Sequence, residues 1–177
     1  MPIMAATAST TPVLPDPPTP NLSASLRDSL KRNSALYLAP TKALAHDQDR
    51  VCREIGPRNW LVSTLDGDSD DAERRFAREQ ARYVLTNPDM LHHTVLPSHS
   101  RWASLLGSLR YVVIDEAHRY RGVFGAHVAQ VIRRLRRLCR MHGAGPVFLL
   151  SSATSTNAAE AGARLLGVEK VDVVDED

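Results

Sequence analysis

Asp115 and Glu116 stand side by side at the end of an apolar run, Arg110–Ile114, and Ala117-His118 follow at once. The run reads as a strand that delivers two adjacent carboxylates to its carboxyl end, where α/β sheets bind ligands. Adjacent acids on extended backbone point in different directions, so their roles can be divided. In a phosphoanhydride-cleaving site one carboxylate holds Mg²⁺, usually through water. Its neighbour orients and deprotonates the attacking water. The bland alternative is a strand that ends at a polar helix cap. A bare Asp-Glu pair would favour that alternative, but the preceding Val112-Val113-Ile114 and the following Ala117-His118 shift the balance toward chemistry.

Three more strand ends carry polar residues. Ser151-Ser152-Ala153-Thr154 follows the apolar Val147–Leu150, where hydroxyls can bond to neighbouring loops or cap a helix. Ala39-Pro40-Thr41-Lys42-Ala43-Leu44 closes the first clear strand and opens a helix. A helix amino terminus with a Thr hydroxyl, free N–H groups and a nearby Lys suits a phosphate. Thr86-Asn87-Pro88-Asp89 repeats the theme after a third strand. Ordinary capping explains either turn alone. Two of them on one sheet edge weigh toward a phosphate-binding surface, with ordinary capping as the alternative.

These turns need a scaffold. Strands are expected at 35–39, 60–65, 83–86, 110–115, 147–151 and 171–174. Helices are expected at 42–54, 71–80, 89–96, 101–106, 126–141 and 158–166. Strands alternating with helices imply βαβ units and a mostly parallel sheet. In the longest helix Val128, Val131, Ile132, Leu135, Leu138 and Cys139 form one stripe, which reads as core. Residues 1–20 hold six of the eleven prolines, which forbids a regular helix and predicts a disordered or extended stretch over 1–21. Leu22, Leu26 and Leu30 recur at helical spacing and suggest a short helix up to about Arg32. Residues 22–177 then form one domain.

Composition bounds the class. The chain has 177 residues, 43% hydrophobic and 24% charged, which suits one globular domain. No apolar run approaches the roughly 18 residues of a membrane span, and no secretory signal opens the chain. Cys52 and Cys139 form no Cys-x-x-Cys pair and read as reduced thiols of a cytoplasmic protein. The net charge of +2 selects no partner. Arg133, Arg134, Arg136, Arg137 and Arg140 are either a nucleic-acid patch or a solvated helix face.

Together the four turns resemble the first RecA-like domain of a superfamily 2 DEAD/DEAH-box helicase. Asp115-Glu116-Ala117-His118 is similar to motif II, Ser152-Ala153-Thr154 to motif III, Ala39–Leu44 to motif Ia and Thr86–Asp89 to motif Ib, all in family order. Leu85–His92 and Asp115–Val128 resemble the YprA/MrfA-type branch of bacterial DNA-repair helicases. The resemblance spans about 22–167. It implies ATP and Mg²⁺ as cofactors, with 3′–5′ movement on single-stranded DNA in DNA repair. Asp115 would hold Mg²⁺ through water, and Glu116 would be the general base. His118, Ser152 and Thr154 would couple nucleotide state to domain movement. Thr41, Lys42, Thr86 and Asn87 would contact the nucleic-acid backbone. A second, separately supplied helicase domain is implied as partner.

One part of the pattern is absent. A phosphate loop needs glycine to wrap its backbone around phosphates, and the first glycine is Gly56. No lysine precedes Lys31. The chain also ends after motif III. The expected fold is therefore α/β, a RecA-like open sheet with helices on both faces, its first strand and phosphate loop missing or degenerate. Val147–Ser151 is expected to have an open edge, and the chain alone is expected to turn over no ATP. The alternative reading is a non-catalytic nucleic-acid- or protein-binding remnant.

Overall fold

The computed structural model describes residues 3–6, 33–56, 60–153 and 157–174. Seven strands form one sheet: β1 (Ile3–Ala6), β2 (Ser34–Leu38), β3 (Val62–Thr64), β4 (Tyr83–Thr86), β5 (Leu109–Ile114), β6 (Val147–Ser151) and β7 (Asp172–Val174), in the order β3-β4-β2-β5-β6-β1-β7. The five strands from β3 to β6 run parallel, as expected. The helices are α1 (Lys42–Ile55), α2 (Asp71–Glu79), α3 (Pro88–Met90, continued by a π-helical turn at Leu91–Val95), α4 (Ala103–Ser108), α5 (Gly122–Met141) and α6 (Ala158–Leu166). Helix α5 starts at Gly122 rather than Ala126. Gly125 permits this: a side chain there would sit 2.3 Å from the Tyr120 carbonyl oxygen. The expected helix over 22–32 lies outside the described residues.

Alternation along the central strands sorts the core into two layers. Leu36 and Leu38 of β2 face one side with Val112, Ile114 and Leu150, under Ile132 and Leu135 of α5. Tyr37 faces the other side with Ala45 of α1 and Leu85 of β4. Burial on both faces is why β2 reads as a continuous apolar run. The α5 stripe is core, with Val128, Val131, Ile132, Leu135 and Cys139 buried. Isolation from water pushes the Cys139 thiol up to about 12.

The open edge expected for β6 is filled. Ile3–Ala6 pairs with β6 antiparallel, Ile3 opposite Ser151 and Ala6 opposite Phe148, and pairs with β7 antiparallel on its other side. This corrects one expectation: the place beside β6 is not vacant, and a segment of the amino-terminal stretch fills it. Ile3–Ala6 has no proline, and all six prolines of the stretch lie outside it, so the ladder loses no donor. Its direction matters more. Because β1 runs against β6, it ends level with Phe148, at the opposite end of the strand from Ser151.

Candidate nucleotide and nucleic-acid site

Asp115 and Glu116 follow β5 directly. The Asp115 N–H donates to the Leu38 carbonyl at 2.9 Å and so extends the β2–β5 ladder one residue past the strand. Its carboxylate is held from three sides. The Tyr37 hydroxyl donates to Oδ2. The Ser151 hydroxyl donates to Oδ1 at 2.5 Å, and the Glu116 N–H donates to the same oxygen at 2.8 Å. Burial, and then the hydrogen bond to Asp115, raise the Tyr37 pKa well above its usual value. Tyr37 therefore stays a neutral donor, and Asp115 is fixed before any ligand arrives.

Glu116 adopts a left-handed conformation, φ 51° and ψ 43°, the one non-glycine residue with positive φ among the described residues. Such a position costs about 1–3 kcal/mol and persists where the surroundings over-determine it. It turns the chain sharply off β5, where the sequence alone suggests extended backbone at both acids. His118 Nδ1 lies 3.1 Å from Glu116 Oε2 but without hydrogen-bond alignment. His118 and Ser152 line one small cavity of about 40 Å³ with Tyr120 and Arg121.

The motif III hydroxyls divide differently from expectation. Ser151, one residue earlier than the Ser-Ala-Thr run, is the hydroxyl on Asp115. Ser152 is buried and, among the described residues, its hydroxyl reaches only the Ala153 carbonyl, at 3.2 Å. Thr154 lies outside the described residues. The signal for Ser151 was its place as the last residue of β6, level with Asp115 on the adjacent strand.

The turns after β2 and β4 lie on the same sheet edge, with β2 between β4 and β5. Thr41 caps α1 and accepts the Leu44 N–H at 3.3 Å. Lys42 forms an ion pair with Asp68 and approaches Asp66 at 3.4 Å. Thr86 is fully buried and its hydroxyl donates to the Leu65 carbonyl at 2.7 Å, so it fastens β4 to the end of β3 and faces no ligand. Asn87 caps the next turn, accepting the Met90 N–H at 2.8 Å. Three of these four side chains are thus spent on local structure. A phosphate could be met by the N–H groups of Lys42 and Ala43, which have no intrahelical acceptor, and by the Lys42 amine in competition with Asp68.

Sequence reasoning missed the loop that holds Lys42. Asp66 is buried and accepts from the Asp68 N–H at 2.8 Å and from His46 at 2.7 Å. Burial pushes its pKa up, but the Asp68 amide, His46 and Lys42 outweigh that and hold it below the usual carboxylate range. The signal was Asp66-Gly67-Asp68-Ser69-Asp70, a dense turn directly after a strand.

The donor set fits half of a nucleotide site. Asp115 and Glu116 suit a cation held through water beside a water-activating carboxylate. The phosphate half does not fit. The strand beside β6 is antiparallel and ends level with Phe148 rather than at the Asp115 end, and no glycine precedes Gly56 to wrap phosphates.

Residues 19–161 match the DEAD/DEAH box helicase family. The chain is 52% identical over 138 residues to the uncharacterized ATP-dependent helicase YprA of Bacillus subtilis, across 76% of this chain and 18% of YprA. It is 42% identical over 149 residues to the ATP-dependent helicase HRQ1 of Saccharomyces cerevisiae, across 80% of this chain and 14% of HRQ1. The crystal structure of the DUF1998 helicase MrfA bound to DNA superposes with a TM-score of 0.72 at 51% identity, covering 78% of this chain and 19% of MrfA. The fold alone is shared with the DEAD-box helicase Mss116, at 20% identity and a TM-score of 0.59. The chain spans less than a fifth of YprA and HRQ1 and about a fifth of MrfA. By its motifs, its sheet and these matches, the chain belongs to the DEAD/DEAH box helicase family.

Proposed function

We propose that this chain forms the first RecA-like core of an ATP-dependent DNA helicase and grips single-stranded DNA without turning over ATP by itself. One observation carries the reading. The Asp115-Glu116 pair, the α1 amino terminus and the Asn87 turn all emerge from neighbouring strand ends on one sheet edge. MrfA, half identical to this chain, crystallised with DNA and with DNA plus AMPPNP. Backbone N–H groups and a lysine read phosphate rather than base, so little sequence preference is expected.

In the complete protein Asp115 would hold Mg²⁺ through water and Glu116 would act as general base. His118, beside Glu116 and in one cavity with Ser152, would pass the state of that site toward α6. The phosphate-holding loop and a second helicase domain would come from other parts of the protein or from a partner. ATP-driven 3′–5′ movement and a role in DNA repair belong to that assembly. The non-catalytic reading is favoured for the isolated chain by the antiparallel β1.

Steady-state ATP turnover by the purified chain, with Mg²⁺ and oligo-dT, tests this. No turnover above the Glu116→Gln variant is expected. Turnover that disappears in Glu116→Gln would show that the chain has a phosphate ligand this reading lacks.

A further inference from the structure

Three of the five arginines in the α5 run are already committed. Arg136 donates to the Leu166 and Gly167 carbonyls at 2.6 and 3.1 Å, and Arg133 to the Arg164 carbonyl at 3.2 Å. These arginines cap the carboxyl end of α6. Arg134 donates to the Leu96 carbonyl at 3.3 Å. A different set of cations lines a cleft. Arg74, Arg75 and Arg78 of α2 face Arg101 across a cleft of about 340 Å³, with Thr94 and Ser98 on its far wall. Asp71 is the one carboxylate lining it.

The cleft is built rather than incidental. Trp102 is 2% exposed and forms part of its wall. The Arg78 guanidinium lies 5.9 Å from the centre of the Trp102 ring, a cation–π arrangement that steadies it, and it also approaches Glu79 at 3.3 Å. Among the described residues no carboxylate pairs with Arg74, Arg75 or Arg101. The Arg74 Nε is buried with no hydrogen-bond acceptor, a cost that a bound anion would remove. Arginine forks with two hydroxyls opposite suit phosphate oxygens. Both walls continue elements of the site described above: α2 follows the loop whose Asp68 pairs with Lys42, and the segment bearing Thr94 and Arg101 follows the turn capped by Asn87.

We propose that this arginine cleft is a second binding site for the phosphodiester backbone of single-stranded nucleic acid, beyond the strand-end turns. The inference rests on the nucleic-acid reading above. It lengthens the track of the strand across this domain and adds phosphate contacts that carry no base preference.

Trp102 provides a local reporter. The chain has two tryptophans, and Trp60→Phe leaves Trp102 alone. In that background at low salt, oligo-dT is expected to shift Trp102 emission. Arg75→Glu with Arg101→Glu, both exposed side chains, is expected to abolish the shift and to melt with the parent. It should also weaken oligo-dT binding, measured by anisotropy, by roughly tenfold or more and flatten the slope of log K against log salt by about 1–2. Parent binding that survives the charge reversals with the same affinity and slope overturns the cleft and leaves the strand-end reading standing. Tripolyphosphate that shifts Trp102 while oligo-dT binds nowhere overturns both and leaves a free-phosphate site.

Discussion

Ser151→Ala is expected to cost more stability than Ser152→Ala, although Ser152 is the residue within the Ser-Ala-Thr run. The Ser151 hydroxyl sits 2.5 Å from Asp115 Oδ1. Hydrogen bonds to charged groups contribute about 1.5–3 kcal/mol. Asp115 would keep the Tyr37 hydroxyl and the Glu116 N–H, so it is not left orphaned and the lower end applies, about 1.5 kcal/mol. Among the described residues Ser152 reaches only its neighbour's carbonyl, at 3.2 Å, and a neutral bond of that kind contributes about 0.5 kcal/mol. The difference of about 1 kcal/mol corresponds to about 2–4 °C in Tm for a chain of this size. Urea unfolding followed by circular dichroism, with the slope held constant, reads it directly. Tyr37→Phe combined with Ser151→Ala should lose more than the two singles summed, by at least about 0.5 kcal/mol, because both anchor one carboxylate. A Ser152→Ala loss as large as that of Ser151→Ala, or strict additivity of the pair, would refute the three-point clamp on Asp115.

Three further outcomes follow from the geometry. Gly125→Ala should destabilise by about 1–3 kcal/mol in a thermal melt, against the usual gain of up to about 1 kcal/mol for Gly to Ala in a helix, because the new methyl meets the Tyr120 carbonyl. Burial raises the pKa of Tyr37, Tyr83 and Tyr120 above the usual value. Above pH about 10 the unfolded chain ionises first, so stability is complete below that pH and falls by about 4 kcal/mol per unit above it, about 1.4 kcal/mol for each tyrosine. Denaturant midpoints across alkaline pH check this, and a flat profile contradicts it. Asp68→Asn removes the exposed partner of Lys42 and is expected to tighten oligo-dT binding by up to about fivefold at low salt, the equivalent of a surface ion pair; unchanged or weaker binding would count against Lys42 as a phosphate contact.

Much of the parallel core was legible because its signals are local. Val112-Val113-Ile114 and Val147–Leu150 are apolar runs bounded by polar turns, and each became a strand within a residue or two of expectation. Side-chain commitments were less legible because they depend on neighbouring strands. Thr86 and Ser152 carry hydroxyls at strand ends, as a phosphate site would, yet both face inward. Ser151 does the work at Asp115 because the β5–β6 register sets it level with the acid, which no single segment reveals. The arginines divide similarly. Those on α5 look like a nucleic-acid stripe in sequence, but the end of α6 supplies carbonyls to Arg133 and Arg136 across the fold. Ile3–Ala6 escaped notice because it is four residues among prolines, and its pairing is entirely long-range.

The most direct test measures Mg-ATP turnover and oligo-dT binding on one preparation of the purified chain. The account predicts salt-dependent oligo-dT binding, weakened by Lys42→Ala, with turnover no higher than in Glu116→Gln. Turnover that requires Glu116, or oligo-dT binding absent at low salt, would contradict it.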